Sequence, residues 1–128
     1  MSRSLSYATP KPAGGIELWS WLFMRLSGLL LLLLALGHLV IMHLINNVDA
    51  IDYNFVAGRY AGWFWRAYDG TLLLLAMIHG LNGVRILLDD YLAHWRGHRW
   101  LIRALYGLGA VFLLIGLYVV LFFKPALR

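Results

Sequence analysis

Three apolar runs constrain this chain more than any other feature. Residues 22–45, 71–88 and 101–123 are each long enough to cross a hydrocarbon core of ~30 Å as a helix. The expected fold class is therefore all-α, with transmembrane helices at 18–46, 68–91 and 101–123 in a single domain, preceded by an irregular cytoplasmic arm at 1–17. The first run begins near residue 18, exceeds the apolar core of a signal peptide, and is followed by Asn46-Asn47-Val48-Asp49 rather than a small-residue cleavage site. It is expected to stay in the mature protein.

The formal net charge is +5, which in a soluble protein would suggest a nucleic-acid partner. Here the basic residues flank apolar spans, so membrane topology is the expected explanation and no nucleic acid is expected. Arg3 and Lys11 precede the first span, and Arg96, Arg99 and Arg103 surround the link between the second and third. The positive-inside rule places both on the cytoplasmic side of the inner membrane, with the N-terminus cytoplasmic. The connection 46–70 then lies outside, its Arg59 and Arg66 offset by Asp49, Asp52 and Asp69, and Lys124 and Arg128 lie outside as well. Without cysteine the chain forms no disulfide and supplies no thiolate to an iron–sulfur cluster.

The second run ends in a polar stretch containing His79, Asn82, Arg85, Asp89, Asp90 and Tyr91. Polar groups facing lipid have no water to solvate them, so these side chains need partners inside a bundle. His79 and Asp90 are eleven residues apart, which puts them on one helix face about 20° apart and ~16 Å along the axis. Arg85 and Asp89 form an i,i+4 pair on a neighbouring face with Asn82. Gly83, one turn after His79, leaves room for another backbone or a flat ligand.

The first run repeats the eleven-residue interval with Ser27 and His38. In an antiparallel pair the two faces can be apposed, histidines deep and polar groups towards the cytoplasm. Arg25 either snorkels to lipid phosphates or meets an anionic group, and Ser27 either bonds back to its own helix or meets a ligand. His43 turns ~140° away from His38, towards the outer interface. Trp19 and Trp21 mark the inner interface. The aromatic residues between Tyr60 and Tyr68 read as an interfacial segment at the headgroups, before the second helix begins. His94 and His98 stand at i,i+4 in a basic link, a spacing open to a solvated pair, a metal or a partner protein. The third run has no ionisable side chain between Arg103 and Lys124, and Gly107, Gly109 and Gly116 suit a close-packed scaffold.

With 13% charged residues, the chain offers no nucleophile–base pair, phosphate loop or carboxylate dyad, so hydrolase or transferase chemistry by this chain alone is not expected. What remains is a mid-membrane imidazole, which can be an axial haem ligand, a satisfied bundle residue or part of a proton relay. At the membrane edge the Tyr91 O–H can donate to a carbonyl oxygen such as that of a quinone, with the Asp90 carboxylate beside it. The plainer reading is an interfacial anchor.

Arg25-Leu26-Ser27-Gly28 in the first helix, and His79, Gly83, Asp90 and Tyr91 at their spacing in the second, resemble the D-type hydrophobic membrane anchor of succinate dehydrogenase. That enzyme is the succinate:quinone oxidoreductase, respiratory complex II, of the tricarboxylic acid cycle and electron transport. The likeness covers residues 19–123 and is nearest to actinobacterial and related bacterial forms. It implies a multi-subunit helical membrane-anchor bundle in which a flavoprotein subunit (A) oxidises succinate, an iron–sulfur subunit (B) carries electrons, and this chain with a second membrane-anchor subunit (C) holds haem b and quinone. On this resemblance His79 is an axial ligand of the haem iron, paired with a histidine of the other anchor. Tyr91 hydrogen-bonds the quinone carbonyl with Asp90 beside it, while Arg25, with Ser27 near it, lies by the haem propionates and the quinone pocket. The chain alone is not expected to be catalytic.

Two haems would require a helix-one histidine, for which His38 is available. Counting ~1.5 Å per residue from the cytoplasmic edge puts His38 and His79 at similar depth, which does not suit two stacked haems, so haem number stays open. So do menaquinone against ubiquinone and the direction of the couple. The alternatives are a fumarate reductase anchor, and a cofactor-free structural or transporter subunit in which His79 and the Arg85–Asp89 pair form a buried polar network.

Overall fold

The computed structural model describes residues 14–124, and every regular element in it is helical. Helix α1 is Gly15–Leu39, α2 is Tyr53–Arg59, α3 is Trp63–Leu92 and α4 is His98–Phe122. Most of the expected N-terminal arm, with Arg3 and Lys11, lies outside the described residues, as does Arg128. Three spans, Leu18–Ile45, Trp63–Leu92 and His98–Phe122, are long and apolar enough to cross a membrane.

Each helix starts and stops for a local reason. The chain enters α1 through Gly14 and Gly15, both at positive φ, a conformation that costs glycine little. The leucine-rich run then favours helix, since leucine loses few rotamers there. The helix widens into a π turn at Val40–Ile45 and ends on Asn46, whose side-chain amide donates to the Ile41 carbonyl at 2.6 Å. Asn47 accepts from the Asp49 N–H at 3.2 Å over a short 3₁₀ turn, and Asp52 accepts from the Phe55 N–H at 2.8 Å to cap α2. Such residues relieve the orphan N–H groups of a helix start.

The long central helix corrects the expectation for the outer aromatic segment. Trp63, Phe64, Trp65 and Tyr68 are not a strip laid flat before the second helix; they form its first turns, five residues earlier than expected. Side chains there have fixed partners: the Trp65 and Tyr68 rings stack edge-on with centroids 5.8 Å apart, and the Tyr68 hydroxyl donates to the Leu34 carbonyl at 2.6 Å. At 30 residues α3 is ~45 Å long, more than the hydrocarbon core, so both its ends reach the interfaces.

Helix α3 is the middle of the layer, antiparallel to α1 on one flank and to α4 on the other. On the α4 side glycines set the approach. A Cβ on Gly109 would stand 2.6 Å from both Leu81 methyl carbons, and one on Gly116 would stand 2.6 Å from Leu73. Gly107, expected in the same role, faces open space. Two of the three glycines therefore serve as seats for leucine. We expect Gly109→Val to cost about 1–3 kcal/mol through overpacking, seen as a lower unfolding temperature of the detergent-solubilised protein, whereas Gly107→Val leaves that temperature unchanged.

Candidate functional site

Across the α1–α3 seam the sequence-predicted residues Ser27 and His79 come together. Ser27 is 4% exposed, and its Oγ lies 3.2 Å from His79 Nδ1 while also donating to the Met24 carbonyl at 3.3 Å. The expected back-bond is therefore present, and the same hydroxyl also reaches the imidazole across the seam. The imidazole lies over Gly28, where a Cβ would be 3.0 Å from His79 Cε1. A larger residue at 28 would push the ring away from the serine. One nitrogen of the ring is engaged by Ser27; among the described residues none bonds Nε2. Gly83 has nothing within 4 Å of its Cβ position, so the space expected beside His79 is present.

The other sequence-predicted residues do not join this pair. Arg25 is exposed on the far side of α1, its guanidinium 4.0 Å from the Trp21 ring centre. Asp90 is exposed and Tyr91 is 82% exposed, and neither bonds to another side chain among the described residues. Tyr91 lies twelve residues, ~18 Å, along α3 from His79. The site is therefore a string down one end of the bundle, with the imidazole inside the membrane and the phenol and carboxylate at its edge.

The register corrects the depth expected for His38. Eleven residues along α1 from Ser27 to His38 match ten residues back along α3 from His79 to Asp69, because His38 Nδ1 lies 3.6 Å from Asp69 Oδ1. His38 and His79 are then ~16 Å apart in depth rather than level. Counting from each helix's polar edge failed because α3 extends further beyond the seam than α1 does. The apposition of two deep histidines does not occur: serine meets histidine at one level, and histidine meets aspartate at the other.

A second cluster, whose members look in the sequence like balancing charge only, closes the Asp69 end. Arg59 is 8% exposed and grips Asp69 with two hydrogen bonds, Nε to Oδ2 at 3.1 Å and Nη2 to Oδ1 at 2.9 Å. The Trp65 ring covers the guanidinium at 3.8 Å. Burial, and then the Asp69 carboxylate, push the Tyr60 phenol above its ordinary value. Next to it Arg66 donates to the carbonyls of Tyr60, Val120 and Phe123 at 2.9, 2.5 and 2.6 Å, neutralising the orphan carbonyls that end α4. The signal in the sequence was two arginines and an aspartate within eleven residues around a Gly-Trp helix start. Arg59, Tyr60 and Asp69, with His38 of α1 and Met42 of the π turn that follows it, border an apolar cleft of about 480 Å³.

At the opposite end Arg85 bonds Asn82 at 3.2 Å and stands 3.8 Å from Asp89. His98 Nε2 lies 3.0 Å from Asp89. His94 sits in the turn and His98 opens α4, so the two are not on one helix and their i,i+4 spacing brings no metal pair together. Among the described residues no group of three or more histidine, cysteine or acidic side chains could hold a metal ion.

Asp69→Ala would strand the buried Arg59 charge, a loss of about 3–5 kcal/mol. The check is a guanidine or heat titration of helicity in detergent, in which Arg59→Lys also falls below wild type because it loses the two-pronged contact.

Comparison with known proteins gives the family context. Residues 2–123 match the family described as succinate dehydrogenase/fumarate reductase transmembrane subunit. A succinate dehydrogenase hydrophobic membrane anchor subunit of Archaeoglobus fulgidus is 35% identical over 75 residues, which cover 59% of this chain and 63% of that protein. The chain thus spans just under two thirds of that relative's length. The succinate dehydrogenase 2 membrane subunit SdhC of Mycobacterium tuberculosis is 29% identical over 102 residues, 80% of this chain and 73% of the relative.

Proposed function

Because this chain belongs to the family of succinate dehydrogenase/fumarate reductase transmembrane subunits, we propose that it is a multi-pass membrane anchor of a succinate:quinone oxidoreductase, holding haem b through His79 and contributing Tyr91 and Asp90 to the quinone site. The observation that carries the haem assignment is the Ser27–His79 contact at 3.2 Å. A hydroxyl on Nδ1 orients the ring and leaves Nε2 as the ligating nitrogen, the arrangement that outer-shell partners impose on ligating histidines. Gly28 lets the ring seat closely against α1, and Gly83, one turn further along α3, has open space at its Cβ position. Both relatives are named for succinate dehydrogenase, which favours succinate oxidation over the fumarate reductase direction.

When bound, haem supplies a one-electron store inside the membrane whose potential responds to ligand and polarity. The chain's own residues do the rest. Tyr91 donates its O–H to a quinone carbonyl oxygen, menaquinone or ubiquinone being the substrate. Asp90 holds that phenol in place or passes a proton to the oxygen. Arg25, restrained by Trp21, supplies a cation for the haem propionates or the quinone. The exposed Tyr91 end faces the cytoplasm and receives the iron–sulfur subunit, which takes electrons from the flavoprotein, while a second anchor subunit provides the other histidine. This chain is a non-flavin anchor subunit of the enzyme and is not expected to be catalytic alone.

A dithionite-reduced minus air-oxidised spectrum of the gently purified, assembled complex should show a b-type α-band that His79→Ala abolishes. Ser27→Ala should keep the band but lower haem retention about tenfold. An unchanged spectrum in His79→Ala would rule the ligation out and favour a cofactor-free polar network. Tyr91→Phe, which removes one hydrogen bond to the substrate, should lower quinone reduction about tenfold with the α-band intact; wild-type turnover in that variant would sink the assigned role.

A further inference from the structure

Where α3 turns into α4, Arg85, Asp89, His98, Arg99, Ile102 and Arg103 line a cleft of about 310 Å³. Three guanidinium groups share it with one carboxylate, and that carboxylate is already engaged by His98 at 3.0 Å and Arg85 at 3.8 Å. Among the described residues Arg99 and Arg103 have no carboxylate within ion-pair reach, and Arg103 is held 5.0 Å from the Trp100 ring centre. Three arginines against one aspartate leave two positive charges unbalanced at the edge of the apolar spans.

The surroundings are those of an amphiphile's binding site. Trp100, 71% exposed, lies against Arg103 of the cleft, and Trp95, 55% exposed, sits in the turn between α3 and α4, as indoles do at a headgroup level. Deeper along the same helix faces, Ile78 lies seven residues before Arg85 and Tyr106 four residues after Ile102, and both are exposed. Basic groups above and bare apolar surface below match a charged head with hydrocarbon attached. An acidic protein segment would use the arginines but leave that apolar surface idle.

We infer that this cleft binds the phosphodiester headgroup of an anionic phospholipid. Arg85, Arg99 and Arg103 hold the phosphate oxygens, for which the planar guanidinium fork is suited. The acyl chains lie along α3 and α4. The site is separate from Ser27–His79, and although its Asp89 stands two residues before Tyr91, its test reads lipid retention and not haem or quinone.

The experiment is native mass spectrometry of the protein purified in mild detergent and titrated with phosphatidylglycerol, with phosphatidylcholine as the zwitterionic comparison. Wild type should retain phosphatidylglycerol selectively and lose it as salt rises. Arg99→Gln with Arg103→Gln should weaken retention about thirtyfold, at the strength typical of basic residues near a membrane surface. Arg99→Lys with Arg103→Lys should recover most of it, and Lys124→Gln should change nothing. Equal retention in wild type and the double glutamine variant would overturn the inference. So would displacement of the lipid by equimolar inorganic phosphate, which marks a free-ion site, or loss of companion subunits with lipid retention unchanged, which marks a protein-docking surface. If the glutamine pair does not fold, salt-insensitive retention by wild type overturns it equally.

Discussion

The hydrogen bond between Ser27 and His79 is the contact on which the rest of the arrangement depends. A polar side chain inside an apolar span is costly unless it finds a partner, and at this level of α1 the partner is a serine hydroxyl on the buried face. Gly28, the next residue, makes the approach possible by offering no Cβ to the ring. Once that pair is made, the antiparallel register of α1 and α3 is set. Ten and eleven residues back along α3 it brings Asp69 to His38 and Tyr68 to the Leu34 carbonyl. Slipping α3 by one residue would turn His79 ~100° off the seam and break all three contacts at once.

The Asp69 end holds the same register by other means. Arg59 reaches from α2 to α3, Arg66 reaches from α3 to the last carbonyls of α4, and the Tyr53 and Tyr60 rings pack on Phe123 with centroids 5.5 and 6.0 Å away. Helix α2 is only seven residues long, too short to be stable alone. It persists because Asp52 caps it and Arg59 is anchored at its other end. An ion pair as buried as Arg59–Asp69 brings little net stability compared with a packed apolar pair, but it admits one geometry only. It fixes where the connection sits rather than how strongly the bundle holds.

The helices were legible because a long apolar run has few other ways to satisfy its backbone, and the Ser27 and His79 faces were legible from helical spacing. The start of α3 at Trp63 was not, since an aromatic run with an arginine reads equally well as an interfacial strip until Arg66 and Asp69 are given their partners. The depth of His38 was misjudged for a related reason. Spacing along one helix is fixed by its pitch, whereas depth relative to a neighbour depends on how far each helix overshoots the seam, which no single helix encodes. Arg59–Asp69 was hidden because its two charges belong to different helices and cancel in any count of net charge.

The two ends of the bundle differ in a way that bears on function. At the Asp69 end Arg59, Arg66, Asp69 and the α4 carbonyls satisfy one another within the chain. At the other end Arg25, Asp90, Tyr91 and Arg99 are exposed, and among the described residues none of them has an ion-pair partner. Selection for stability alone would pair such groups or replace them with apolar ones, as the closed end shows this chain can do. Leaving a cation, a carboxylate and a phenol open at one membrane edge is useful where something else completes them: a neighbouring subunit, a substrate oxygen or a lipid phosphate. The two relatives are named as membrane subunits of succinate dehydrogenase, which agrees with an end left open for a neighbour. The closed end is then the part of the chain that satisfies itself, and the open end is the part left for what completes it.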